Sequence, residues 1–220
     1  MVSPVDISNV ALTMVGALPI VNFTDDSKSA RQVKSLYPVS RDETMDLPYN
    51  WKFLTTRQQL SQLTDAPAFG GFANQFTLPD NARRVIAQID VDSDDIEYRW
   101  RRETFFKNKR HYDVILTNQE TCYIKFIRRI DDTAKYPGWF IKMIYLSMAS
   151  KLSQPLKQDR LLALDFVAMW QLAVDEAKAA NALEDVDVNI EGIRIDDGNT
   201  EVVNAAANEQ GTTSIQRQIR

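Results

Sequence analysis

The sequence CYIKFIRRIDDTAKYPGWFIKMIYLSMASKL, residues 122–152, contains the point at which the chain changes from one kind of secondary structure to another. In its first part, Cys122, Ile124 and Phe126 alternate with a mixed set of side chains, as on a strand with one apolar face. After Pro137 the apolar residues recur every three or four positions, as on an amphipathic helix. A β-rich segment is therefore followed by a helical one.

The helical spacing extends outward from this stretch in both directions. Towards the C-terminus it predicts a long helix of about 24 residues that starts near Gln158. At the other end of the chain, residues 5–18 and residues 26–47 show the same spacing. Two more helices are expected there, with Pro38 as a kink or break in the second.

In the middle of the chain the helical spacing of apolar residues gives way to a pattern typical of strands. Runs rich in Val, Ile, Tyr and Phe predict strands, and they are VIAQIDV (85–91), IEYRW (96–100), DVILT (113–117) and CYIKFIRRI (122–130). We therefore predict an α+β fold that is mainly a helical bundle, formed by residues 1–49 and 137–183, with a β-rich insertion at 50–136.

Residues 184–220 differ from the rest of the chain. They hold eight acidic residues, three arginines and no aromatic residue, so their net charge is −5. Because the whole chain has a net charge of −4, residues 1–183 have a net charge of +1. Such a composition does not supply a core, and we predict an extended acidic tail that is ordered by a partner or not at all. Its apolar residues alternate as on a strand and are candidates for pairing with a partner: Val186, Val188, Ile190, Ile193 and Ile195.

The residue counts exclude several classes of protein. One cysteine, Cys122, and one histidine, His111, exclude an internal disulfide and a Cys- or His-rich zinc site. No run approaches the roughly 20 apolar residues of a membrane span, and the N-terminus has no basic segment followed by an apolar one. We expect a protein that is neither secreted nor inserted into a membrane, and that has no catalytic residues and no cofactor.

One acidic cluster resembles a calcium loop. Asp90, Asp92, Asp94 and Asp95 are closely spaced, but an EF-hand requires Gly at the sixth position and an acid at the twelfth. Counting from Asp90, these positions hold Asp95 and Arg101. We interpret the cluster as a solvated turn, and an enzyme with an Asp-rich metal site remains a third hypothesis.

A basic and aromatic stretch, YRWRRETFFKNKRHY at 98–112, supports a second hypothesis. Its basic residues, which include Arg99, Arg101 and Arg102, would neutralise phosphates while its aromatic rings stack on bases. The simpler interpretation is a β-hairpin that packs its aromatic residues on one side. A nucleic-acid-binding protein that uses residues 98–112 is therefore the alternative function.

Four segments together resemble a known family. The stretch ALTMVGALPI at 11–20 is similar to the "AL..LG..PI" opening of tail tubular protein A, the head-to-tail adaptor of short-tailed phages. Residues 27–60 are similar to the next part of that family, a helix with Ala-Arg and Tyr…Arg-Asp followed by "W.F…R..L". Residues 72–86 resemble its "Y.LP.d..rv" element, and residues 123–140 resemble the strand-to-helix junction.

The order and spacing of these segments cover about residues 8–152. Matched positions that we take as candidate interaction residues are Arg31, Arg41, Trp51 and Arg57. The residues before Trp51, Leu-Pro-Tyr-Asn, depart from the family, which commonly has Pro and a His or small polar residue there. The tail has no counterpart in the resemblance.

The resemblance implies a structural virion protein and not an enzyme. Family members form a homo-oligomeric ring, usually of twelve copies, between the portal protein and the tail nozzle or tube. Double-stranded DNA leaves through this ring without sequence-specific binding, and no membrane is involved. The expected location is the neck of the virion, after assembly in the host cytoplasm. A slightly acidic chain suits a DNA channel, because a wall of fixed cations would retain phosphates.

Overall fold

A computed structural model describes residues 2–67, 70–92, 98–107 and 109–184. Four α-helices lie near the two ends of this part of the chain, and they are α1 (Pro4–Met14), α2 (Lys28–Met45), α3 (Gly138–Lys157) and α4 (Arg160–Leu183). Two short 3-10 helices, Lys52–Leu54 and Thr133–Lys135, flank the strands. None of the described helices is long and apolar enough to span a bilayer.

Seven strands form two antiparallel sheets between α2 and α3. They are β1 (Thr55–Gln59), β2 (Ser61–Gln62), β3 (Asn74–Thr77), β4 (Ala82–Ile89), β5 (Trp100–Lys107), β6 (Arg110–Thr117) and β7 (Tyr123–Arg128). The first sheet has the order β1-β7-β4, and the second has the order β2-β3-β6-β5. The chain passes from the first sheet to the second at Leu60, between β1 and β2, and Leu60 donates its N–H to Cys122 O at 2.8 Å.

The helices form one layer around α3. Nearly every turn of α3 is buried, and α1, α2 and α4 each pack against it more closely than against one another. The largest core cluster lies here, with Trp51 and Phe140 among its fully buried side chains. Pro38 lies inside α2 without ending it, because Tyr37, Ser40 and Arg41 on either side are buried against the rest of the protein.

The sheets enclose a second core of their own. Ile124 and Phe126 point from β7 towards the second sheet, where they meet Phe76 and Ile115. The other face of β7 carries Ile127, which belongs to the helical core. The first sheet is therefore buried on both faces, and this explains why the second face of its central strand is not purely polar.

These observations correct the predicted fold class. The fold is α+β, but it is not mainly a helical bundle, because the structure is 45% helical and 23% strand, with two sheets that have their own core. The prediction undercounted strands because β1, β2 and β3 are short and mostly polar. The predicted C-terminal tail at 184–220 lies, from residue 185 onward, outside the described residues.

Candidate interaction surfaces

Arg41 is the most buried of the predicted interaction residues, at 6% exposure. Its Nε donates to Asp42 Oδ1 at 2.8 Å and its Nη1 donates to Asp131 Oδ1 at 2.6 Å. Asp131 also accepts from Arg129 Nε at 3.1 Å. Burial raises the pKa of Tyr37, whose ring lies 5.9 Å from the guanidinium carbon of Arg41. Arg41 therefore ties α2 to the segment that leads into α3, and it is not available to a partner.

Trp51 is also internal. It has no exposed surface, and its indole N–H donates to Thr44 O at 3.3 Å. Its ring lies 4.7 Å from that of Tyr49 and 5.1 Å from that of Trp139. Trp51 is thus a packing anchor between the end of α2 and α3.

Arg31 and Arg57 lie at the surface, but they belong to different elements of the fold. Arg31 is in the first turn of α2 and pairs with Asp26 at 2.7 Å, with both side chains exposed. Arg57 lies at the centre of β1, opposite Lys125 of β7. The residues selected by the family resemblance are therefore not gathered on one surface.

The basic and aromatic stretch forms a hairpin of β5 and β6, but its aromatic residues do not pack on one side as the simpler interpretation expected. Phe105 and Phe106 are adjacent on β5 and point to opposite faces, and Phe106 is 60% exposed. Arg99 lies 5.2 Å and Arg101 lies 6.0 Å from the Phe72 ring centre. Arg102 pairs with Asp113 at 2.5 Å and donates to Arg83 O at 2.9 Å. Arg101 also pairs with Glu103 at 3.6 Å, so Arg101 and Arg102 each have a carboxylate that offsets their charge. The contact of Arg99 with the Phe72 ring leaves its charge in place.

The acidic turn is only partly described, since Asp94 and Asp95 lie outside the described residues. Asp90 accepts hydrogen bonds from the Tyr98 hydroxyl and from Asp92 N, and these bonds lower the pKa of Asp90. In the part of the chain that the structure describes, no three His, Cys, Asp or Glu side chains form a group suited to a metal ion.

Cys122 lies in the core between the two sheets, where burial raises the pKa of its thiol to about 12. A thiol with this pKa is almost wholly protonated at neutral pH and is a poor nucleophile. His111 is exposed on β6 and packs on Phe106, with 4.7 Å between the ring centres.

The outer side of α4 is apolar, which the sequence analysis missed. We define the α4 outer face as Leu161, Leu164 and Leu172, which are 74%, 54% and 63% exposed and recur at helical spacing. Val167 and Met169 flank this line on its two sides, and the exposed Asp165 lies beside it. Phe166 and Ala173 are buried on the other side of α4, where Leu162 and Trp170 are half-buried. The missed signal is a second series of apolar residues at helical spacing, offset from the first.

A groove lies beside this face. It has a volume of about 460 Å³ and runs between α4 and the segment that follows α2, with Leu47, Tyr49, Trp170 and Val174 among its lining residues. The indole N–H of Trp170 is buried and has no acceptor among the described residues. The lining also includes Gln171, Asp175 and Lys178, so the groove is partly apolar and partly charged.

The connection between α1 and α2 forms a second exposed apolar surface. We define the α1–α2 loop as residues 15–27, in which Leu18 is 82% and Val21 is 86% exposed. Between them Ile20 is buried, and both of its main-chain groups bond to the Asn9 side chain, at 2.9 Å and 2.8 Å. Asp25 accepts from Val21 N at 2.7 Å. The loop is therefore fixed in a shape that holds two large apolar side chains in solvent.

The predicted tail residues Val186, Val188, Ile190, Ile193 and Ile195 lie outside the described residues. No protein-family model and no curated protein matches the sequence.

Proposed function

We propose that this chain is a structural phage virion protein, a head-to-tail adaptor that forms a ring between the portal and the tail nozzle or tube. The observation that carries the proposal is the presence of two exposed apolar surfaces, the α4 outer face and the α1–α2 loop. Large apolar side chains that a fold holds in solvent are typical of a protein that assembles with others.

The family resemblance of residues 8–152 gives this assembly its proposed identity. The segment ALTMVGALPI at 11–20 spans the end of α1 and the loop that carries Leu18, so a resembling segment lies on one of the two surfaces. In a ring, usually of twelve copies, each protomer needs two side surfaces that fit each other, one for each neighbour.

The charge distribution is compatible with a DNA channel. The Arg102–Asp113 and Lys107–Asp65 pairs neutralise part of the basic hairpin, so double-stranded DNA would meet a mixed wall and not a continuous cationic one. This favours an adaptor over the nucleic-acid-binding alternative, for which DNA retention that falls steeply with salt would be the signature.

The test is co-sedimentation of the purified chain with the portal protein of the same virus. The proposal predicts that the chain sediments with portal particles. DNA is not needed for this binding. A second preparation ends at residue 184, which retains α4 through its C-cap Glu184. It should keep the circular dichroism of the folded body but bind portal more weakly, because we propose that the tail docks on the portal or on a neighbouring copy.

A chain that never sediments with portal, and that binds DNA tightly as a monomer, would contradict the adaptor function. Unchanged portal binding by the shortened chain would contradict only the role of the tail.

A further inference from the structure

We propose that the α1–α2 loop of one copy of this chain docks on the α4 outer face and groove of the next copy, in a head-to-tail contact. This inference rests on the proposed ring and names the surfaces that would build it. Both surfaces belong to the described part of each protomer.

The first argument is the amount of apolar surface. The three leucines of the α4 outer face leave roughly 350 Å² uncovered, within the range of the largest apolar patch on a typical monomer, about 300–600 Å². Leu18 and Val21 add roughly 270 Å², so the two surfaces together supply about two thirds of the apolar area of a standard interface of about 1,600 Å².

The second argument is shape. The α1–α2 loop presents Leu18 and Val21 on either side of a buried anchor, Ile20, and Asn9 and Asp25 hold its main chain in place. A preorganised protrusion binds without a large cost of ordering. The α4 side offers a matching concave feature, the groove that runs alongside Trp170.

The relation of the two surfaces favours a head-to-tail contact over a symmetric one. α4 and the α1–α2 pair each pack on α3 more closely than on one another, so each protomer carries two separate and unlike apolar surfaces. Unlike surfaces that pair between copies generate a ring when the rotation closes, whereas a symmetric contact ends at a dimer.

The test is a mixing experiment with full-length chains. A face variant, Leu164→Glu with Leu172→Glu, and a loop variant, Leu18→Glu with Val21→Glu, change only exposed side chains, and Val39→Glu on exposed α2 surface is the control. We expect the wild type and the control to form large oligomers in sedimentation velocity, and each variant alone to be monomeric. A 1:1 mixture of the two variants should form dimers and nothing larger, because only one intact loop and one intact face remain in each pair.

Thermal melts by circular dichroism verify that each variant is folded. Oligomers of wild-type size from either variant alone, or a mixture that remains monomeric, would overturn the inference. Dimers formed by the loop variant alone would overturn it in favour of a symmetric α4 contact. A wild type that is monomeric up to about 0.5 mM would also overturn it. Portal co-sedimentation of the wild type separately decides the adaptor function, so the failure of the contact and the failure of the function are distinguishable.

Discussion

Replacing Trp51 with Ala should destabilise the protein more than any other single aromatic truncation outside the helices. Trp51 has no exposed surface, lies between Tyr49 and Trp139, and donates to Thr44 O. Truncation of a fully buried Trp costs about 3–5 kcal/mol. The loss of the hydrogen bond leaves the Thr44 carbonyl without this donor, so we expect the upper half of that range, about 4–5 kcal/mol.

The measurement is urea unfolding followed by far-ultraviolet circular dichroism, because fluorescence would lose one of its reporters. A loss of this size should lower the melting temperature by about 10–15 °C in a domain of this length. Trp51→Phe keeps an aromatic ring and should cost less than half as much. Trp100→Ala, at a half-buried position beside the core between the sheets, is the matched control and should cost about 1–2 kcal/mol.

A loss below about 1.5 kcal/mol for Trp51→Ala would refute the assignment of Trp51 as a packing anchor. A variant that remains fully stable but no longer assembles would show instead that Trp51 acts at an interface, as the sequence analysis proposed.

Three further predictions concern charge and protonation. Arg41→Ala should lower the free energy of unfolding by about 2–3 kcal/mol, because both carboxylates lose this partner. Arg41→Lys should lower it by less, because Lys keeps the charge although it does not bridge both carboxylates. Chemical denaturation measures both changes. The N-cap Ser3 lowers the pKa of Asp6 below 3.8, so the stabilisation by Asp6 is present above pH 4 and is lost as the pH falls through the lower folded value. The difference in melting temperature between wild type and Asp6→Ala should therefore narrow in acid, and an unchanged difference would contradict this coupling. Burial raises the pKa of Cys122 from 9.0 to about 12, so stability should decline as the pH rises from 9 to 12, and a thiol reagent at pH 8 should label Cys122 only as fast as the protein unfolds.

The helices were largely predictable from the sequence because their apolar spacing is strong. The predicted 24-residue helix near Gln158 is α4, Arg160–Leu183. Pro38 was predicted to be a kink or a break, and α2 does not break there, because burial of the adjacent turns holds the helix together across the lost hydrogen bond. The 3-10 helix Lys52–Leu54, which follows Trp51, was not predicted.

The strands were predictable only where they carry apolar residues. β7 and β6 coincide with the predicted runs, but β1, with the sequence TTRQQ, has no large apolar side chain and is held by main-chain pairing to β7. Strands of this kind show no alternation of apolar and polar residues in the sequence. Because they were not predicted, the fold was wrongly predicted to be mainly a helical bundle.

The surfaces were less predictable than the fold because they depend on residues distant in sequence. Arg41 was selected as an interaction residue, but it is buried and pairs with Asp131, which is ninety positions away. The exposure of Leu18 depends on Asn9, which fixes the main chain of Ile20 from another turn. Neither contact has a local sequence signal.

The most direct test of the central claim is electron microscopy of the full-length chain mixed with portal particles of the same virus. The adaptor function predicts an added ring at one end of each portal particle, with closed rotational symmetry and a central channel. Portal particles without added density, together with a chain that remains a monomer in the same sample, would contradict it.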